Sequence, residues 1–211
     1  RDIIKNNNLE EVFSNVKIGL EKEGQRILED GTISKSDHPK VFGIRHEHPY
    51  IQTDFAESQV ELITTPENSE REVTLKNMPA DEFIWPLSIP VILPDESEIR
   101  VAQFEKKSDV EYREYLVKKY GKYKQMVSGI HYNFQLDDEF MENVAEITKK
   151  DLVDVKNEIY LKLARQFIRY QWILIYLYGA SPLAEDKYFT NGLKPNDYVR
   201  SLRTSRYGYV N

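Results

Sequence analysis

Three stretches of the chain alternate polar and apolar residues with a period of two, the spacing that separates the faces of a β-strand. In the first, Lys17, Gly19, Glu21, Glu23 and Gln25 share one face, and Ile18 and Leu20 begin the other. In the second, within Tyr50 to Thr65, Val60, Leu62 and Thr64 alternate with Gln59, Glu61 and Ile63. In the third, Val127, Gly129, His131, Asn133 and Gln135 line a hydrogen-bonding side, and Ile130, Tyr132, Phe134 and Leu136 line a packing side.

Helical spacing separates these strands. Leu9, Val12, Phe13 and Val16 predict a short amphipathic helix. Asp109 to Tyr120 is a second, with Val110, Arg113, Leu116 and Val117 on one stripe and Gly121 as its stop. Asp137 caps a third, carrying Phe140, Val144 and Ile147. Leu152 to Tyr178 reads as one long helix ended by Gly179 and Ser181-Pro182; it is apolar nearly all round towards its end, the pattern of a central buried helix. Glu29-Asp-Gly-Thr32 is a turn, and Ser34 to Pro49 is irregular. Glu67 to Ala80 has no clear pattern. Trp85 to Pro94, with its prolines, is an extended packed loop, and Leu183 to Asn211 is loop-rich, with Arg203 in a polar loop. The sum is an α+β fold: a mainly antiparallel sheet, backed by helices on its apolar side, whose polar face stays open as a site.

Composition narrows the partners. The 211 residues suffice for one well-filled core. A net charge of −6 argues against a general nucleic-acid or anionic-membrane binder. With no cysteine there is no disulfide, thiolate metal site or cysteine nucleophile, and cytoplasmic residence fits. The longest apolar run, Trp172 to Tyr178, is far shorter than the ~20 residues of a membrane helix. The first residue is arginine, and the sequence reads as a piece of a longer polypeptide.

Glu21 and Glu23, about 7 Å apart on one strand face, repel by roughly 2.4 kcal/mol at an effective dielectric of ~20. A cation converts that repulsion into affinity. Asp54, Glu61, His131 and Asn133 are the other polar residues set in strand-like segments. Oxygen donors with one imidazole suit Mg²⁺ or Mn²⁺ better than zinc. Gly19-Leu-Glu-Lys-Glu-Gly24 has P-loop glycine spacing, but Gln25-Arg26 stand where lysine and a hydroxyl belong, and its acids would repel phosphate. His46-Glu-His48 lacks a third zinc ligand at a recognisable spacing and reads as a solvated loop. There is no Gly-x-Ser-x-Gly elbow.

Taken together and in order, several blocks resemble bacterial glutamate–cysteine ligase. They are Gly19-Leu-Glu-Lys-Glu23 with Arg26, His48-Pro-Tyr-Ile-Gln-Thr-Asp-Phe-Ala-Glu57, Val60-Glu-Leu-Ile63 and Trp85-Pro-Leu-Ser88. Tyr112-Arg-Glu114, Ser128-Gly-Ile-His-Tyr-Asn-Phe134, Tyr178-Gly-Ala-Ser-Pro182, Ser201-Leu-Arg203 and Gly208-Tyr209 follow. The likeness is strongest to the version fused to a glutathione synthetase domain.

The resemblance implies a glutamine-synthetase-like fold, an antiparallel sheet forming part of a funnel with helices outside. Residues 1–211 would be a single partial domain, the amino-terminal part of the catalytic domain, unable to turn over alone. It implies ATP as co-substrate, Mg²⁺ (or Mn²⁺) as cofactor, and L-glutamate and L-cysteine joined through a γ-glutamyl phosphate. Glu21, Glu23, Asp54, Glu61 and His131 match the family's metal ligands. Phe55, Tyr112, Gln125, Arg203 and Tyr209 match residues around the amino acids, with Arg203 and Asn133 near the reacting groups. Two departures from the family pattern stand out: a short connection between Pro66 and Ala80, and an end at Asn211 where the family continues. The alternatives are a catalytically silent glutamate- and metal-binding fragment, and a related ligase with another amine acceptor.

Overall fold

The computed structural model describes residues 2–63, 78–179, 183–189, 194–206 and 208–209; the side chains of Arg203, Gly208 and Tyr209 lie outside the description. Thr64, Thr65, most of the unpatterned segment 67–80 and the Ser181-Pro182 helix stop are likewise outside it. The chain divides into two compact units. One comprises residues 1–18, 134–183 and 193–211; the other comprises 19–133 and 184–192.

The second unit holds the sheet. Strand β1, Val16–Leu28, is its organising element. It lies between β3, Gln59–Ile63, and β4, Glu82–Ile84, while β2, Ile51–Thr53, pairs with the far side of β3. Strand β5, Ile130–Leu136, also pairs with β1. The β1–β3, β1–β4 and β2–β3 ladders are antiparallel, and the first sets Glu23 opposite Glu61 and Gln25 opposite Gln59. Gly24 is required where β4 crosses: a Cβ there would stand 2.5 Å from an Ile84 methyl carbon.

Within the ordered stretch 50–65 the strand expected around Glu61 is β3, and β2 precedes it because the chain reverses between Asp54 and Ser58. The Asp54 amide donates to Gln59 O and the Gln59 amide to Ala56 O. An isolated bridge, Ala56 to Val101, ties this turn to the loop beyond it. Beneath the turn, Phe55, Ala56, Leu93, Ile99 and Met126 form a core. Leu116 and Val117 of helix α3, Lys107–Tyr120, pack on it. The helix stops at Gly121 as its sequence predicts, followed by a short helix α4, Lys122–Gln125.

The first unit is mainly helical. Short helices α1, Asp2–Asn6, and α2, Glu10–Ser14, precede β1. Helix α5, Asp138–Thr148, is capped by the Asp137 carboxylate, which accepts from the Glu139 amide. Helix α6, Leu152–Tyr178, has the predicted bounds. Leu9, Leu136, Phe140, Met141, Val144 and Val155 form this unit's core. The expected polar loop around Arg203 is instead strand, within three short antiparallel strands: β6, Tyr198–Val199, β7, Ser201–Ser205, and β8, Gly208–Tyr209.

Two expectations about burial fail. Helix α6 is not a buried central helix: only Val155 of it is buried, and Phe167, Trp172 and Tyr176 are more than half exposed. Its first turns join the core through Leu152, Val155, Ile159 and Tyr160, and among the described residues no apolar cluster forms around the rest. The apolar faces expected of the two long strands are also largely uncovered, and β5 is exposed on both faces up to the buried Leu136. Ile18 and Leu20 of β1 and Ile130, Tyr132 and Phe134 of β5, read as packing faces, are exposed, whereas Glu23 is only 4% exposed.

Candidate functional site

Register brings the acids together. Glu21 and Glu23 project from β1, Glu61 stands directly across from Glu23 on β3, and β5 runs past them carrying His131 and Asn133. Like charges placed directly opposite destabilise a strand pair, so this register is unfavourable unless something positive occupies the space. The imidazole of His131 sits in that space. Its Nδ1 lies 3.1 Å from Glu21 Oε2 and 3.9 Å from Glu61 Oε1, and its Nε2 lies 3.3 Å from Glu23 Oε1. Asn133 Nδ2 donates to Glu21 Oε1 at 2.7 Å.

Glu23 is held from behind. Its Oε2 accepts from the Gly129 amide at 2.7 Å and from Gln59 Nε2 at 3.3 Å. Asp54 lies in the reversal between β2 and β3, with its carboxylate 3.9 Å from Nη2 of the buried Arg113. That guanidinium is stacked over the Phe104 ring, 4.4 Å from its centre, and donates to the Asp54 carbonyl.

The titration of the cluster records its excess of negative charge. Burial, then the charge of Glu23, pushes Asp54 up to about 6 despite Arg113. Burial, then the charges of Asp54, Glu21 and Glu23, pushes Glu61 up to about 7. For His131 burial acts downward, but the hydrogen bond to Glu21 and the charges of Glu23, Glu21 and Glu61 outweigh it and raise the imidazole. Burial and neighbouring carboxylates are sufficient to produce each direction.

The donor set fits a hard divalent ion. Ligand atoms from Glu21, Glu61 and His131 all lie within 4.8 Å of one another. An octahedral ion at ~2.1 Å from its ligands separates them by roughly 3–4 Å, and Mg²⁺ fills its remaining positions with water or phosphate oxygen. Of the five predicted ligands, these three share one point, Glu23 faces the other ring nitrogen, and Asp54 is coupled to the group through its charge.

The predicted substrate residues are dispersed. Phe55 is 2% exposed and belongs to the hydrophobic core beneath Asp54. Tyr112 is exposed on α3, and Gln125 is half-buried at the end of α4. Arg203 on β7 and Tyr209 on β8 belong to the other unit. His46 and His48 are not a solvated loop: His46 stacks on Phe104, and His48 Nδ1 accepts from the amides of Tyr50 and Ile51. The sequence reading missed Gln59 and Arg113 as neighbours of the acids. Gln59 shares the face of Glu61 by simple alternation, and Arg113 stands on an otherwise apolar helix stripe, so both signals were present.

The fold and its acid cluster are those of a ligase family, which the comparisons give. The profile described as glutamate-cysteine ligase matches residues 2–211, and the chain belongs to that family. It is 53% identical, over its whole length, to the glutathione biosynthesis bifunctional protein GshAB of Mannheimia succiniciproducens. It is 52% identical over 99% of its length to the GshAB of Pasteurella multocida. The chain spans about 30% of the length of these two relatives. A bifunctional glutathione synthetase structure from Pasteurella multocida superposes with a TM-score of 0.83 at 49% identity, covering 99% of this chain and 29% of that one. A glutamate–cysteine ligase from Francisella tularensis, solved in complex with AMP, superposes at 0.76 and 30% identity, covering 92% of this chain and 43% of that one.

Proposed function

We propose that the protein containing this chain joins the γ-carboxyl of L-glutamate to the amine of L-cysteine at the expense of ATP, the first step of glutathione formation. The observation that carries the reading is the convergence of Glu21, Glu61 and His131 from three strands in a chain of this family. The AMP bound to the Francisella relative supports a nucleotide substrate.

In this reading ATP transfers its γ-phosphoryl group to the glutamate side chain, giving γ-glutamyl phosphate and ADP. The cysteine amine then attacks the acyl carbon, phosphate departs with the bonding pair, the nitrogen loses a proton, and an amide remains. Glu21, Glu23, Asp54, Glu61 and His131 hold Mg²⁺ or Mn²⁺. When bound, the ion neutralises phosphate oxygens as charge shifts between them. Asn133 fixes the Glu21 carboxylate and faces the reacting groups. Arg203 clamps a substrate carboxylate in bidentate fashion; Tyr112, Gln125 and Tyr209 are assigned to the amino acids by family likeness, and Phe55 supports the Asp54 turn from the core beneath it. The chemistry needs no protein nucleophile, so positioning and charge stabilisation supply the rate. The chain forms part of one catalytic domain. Cytoplasmic residence suits the ATP supply, and among the described residues no helix is long and apolar enough to cross a membrane.

The test is ADP release by the intact polypeptide with Mg²⁺, ATP and glutamate, with and without cysteine. Release should fall to background when cysteine is left out. Undiminished release in its absence would refute the substrate assignment.

A further inference from the structure

Gln59 is fully buried, and only half of its amide is used. Nε2 donates to Glu23 Oε2 at 3.3 Å, while Oε1 has no partner among the described residues. Buried amides are otherwise satisfied, and the fold shows the ordinary arrangement one rung away. Gln25, opposite Gln59 in the ladder, donates to Met126 O at 3.1 Å and accepts from Ser58 Oγ at 2.8 Å. Gln25 therefore serves packing, and either end of its amide has work to do. Among the described residues the Gln59 side chain has a single hydrogen bond, and its partner is a carboxylate.

The orientation of the Gln59 amide is dictated by its partner. An ionised carboxylate accepts and does not donate, so reversing the amide would set two oxygens against each other. The Gly129 amide approaches the same carboxylate oxygen at 2.7 Å. A side chain at position 129 is disfavoured, because a Cβ would stand 3.3 Å from His131 Nε2 and 3.6 Å from Glu23 Oε2. With Oε2 held by two N–H groups, Oε1 is the oxygen turned to His131, at 3.3 Å. Among the described residues the Glu61 carboxylate, next on the same face of β3, has no comparable donor clamp.

We propose that Gln59, together with the Gly129 amide, is a positioning residue that locks one oxygen of Glu23 and presents the other to the divalent cation. The proposal rests on the cation-site reading above. It assigns Gln59 no contact with substrate and no part in the core that a hydrocarbon of its length could not fill.

The test is titration of the intact, metal-free polypeptide with Mn²⁺ followed by electron paramagnetic resonance, alongside its thermal midpoint, for wild type, Gln59→Met, Gln59→Asn, Gln25→Met and Glu61→Gln. Loss of an outer-shell partner weakens metal binding by roughly 10- to 100-fold. Gln59→Met should weaken Mn²⁺ at least tenfold while the metal-free midpoint stays level or rises. Gln59→Asn, whose shorter amide cannot reach Glu23, should weaken it in the same direction and keeps the question open to refutation if the methionine variant does not fold. Gln25→Met should lower the midpoint and leave Mn²⁺ affinity at the wild-type value. Wild-type Mn²⁺ affinity in a folded Gln59 variant overturns the positioning role alone. Wild-type protein that binds no Mn²⁺, or binds it equally with Glu61→Gln, overturns the cation site itself and the positioning role with it.

Discussion

The sheet unit contains two groups of acids that are built on opposite principles, one fully buried and one partly so. In the first, Arg26 is fully buried and pairs with Glu82 at 2.6 Å. Its guanidinium also donates to Ser36 and to the carbonyls of Ser36, Asp37 and Glu57. Glu57 is held by Arg45 and by the amides of His38 and Gln103. Two acids meet two arginines, and every carboxylate is surrounded by donors. In the second, Glu21, Glu23, Asp54 and Glu61 meet one imidazole and, at 3.9 Å from Asp54, one guanidinium. The first group is balanced by its own cations; the second carries more negative than positive charge, as the proposed cation site requires. The difference turns on the balance of charge, since both groups are rich in acids.

The largest contrast is expected from Glu82→Gln. Burial alone would raise the Glu82 carboxyl, but hydrogen bonds from Ser34 and Ser36 and the charge of Arg26 hold it below the usual range. Removing one charge of a buried pair strands the other, a loss of about 3 kcal/mol or more. Chemical denaturation of the variant should show a midpoint lowered accordingly, and an unchanged midpoint would mean that Arg26 is satisfied by its carbonyl partners alone.

Acidification should divide the groups next. His38 donates its amide to Glu57, and burial, aided by the charges of Arg45 and Arg26, lowers its ring to about 4. A group whose folded pKa lies below its unfolded value contributes stability that is present above ~6.5 and lost as pH falls towards 4, about 3 kcal/mol at most. Asp54 and Glu61 are shifted the other way, to about 6 and about 7. The folded state takes up their protons first, so their repulsion is relieved as pH falls through those values. Two groups gain as one loses, so metal-free wild type should rise modestly in stability between pH 7 and 4.5, the His38 loss offsetting about half of the gain. In His38→Gln the acid-side loss disappears, and the rise on acidification should be steeper; a profile as modest as that of wild type would remove His38 from the account.

How far this was legible from sequence depends on the direction of the cue. Strict alternation placed Glu21, Glu23, His131 and Asn133 on common faces, and Asp137, Gly121 and Gly179 marked helix ends where the chain does stop or start. Register was not legible: nothing in 59–63 says that Glu61 stands opposite Glu23 and not Glu21, since strand pairing is a long-range contact. The reversal at 54–58 was hidden because its residues carry no glycine or proline. Its stability comes from Glu57 and from the bridge at Val101. Apolar patterning misled for the end of α6 and for Ile130, Tyr132 and Phe134, because a pattern predicts that a face seeks cover without saying which residues provide it.

The smallest effect sharpens the comparison most, because it has the opposite sign to Glu82→Gln. Glu61→Gln makes the same chemical change, carboxylate to amide, in the group that lacks cations. In the metal-free protein it removes a charge that burial and the charges of Asp54, Glu21 and Glu23 already oppose. Relief of a like-charge pair across two strands contributes roughly 0.5–1 kcal/mol, so the variant should be slightly more stable than wild type at pH 8, where Glu61 is otherwise ionised. Raising Mg²⁺ should reverse the order, because wild type gains binding energy in the folded state that the variant lacks. Thermal midpoints of both proteins across a Mg²⁺ series should therefore cross. Curves that stay parallel would mean that Glu61 takes no part in holding the ion, and that its repulsion is answered by His131 alone.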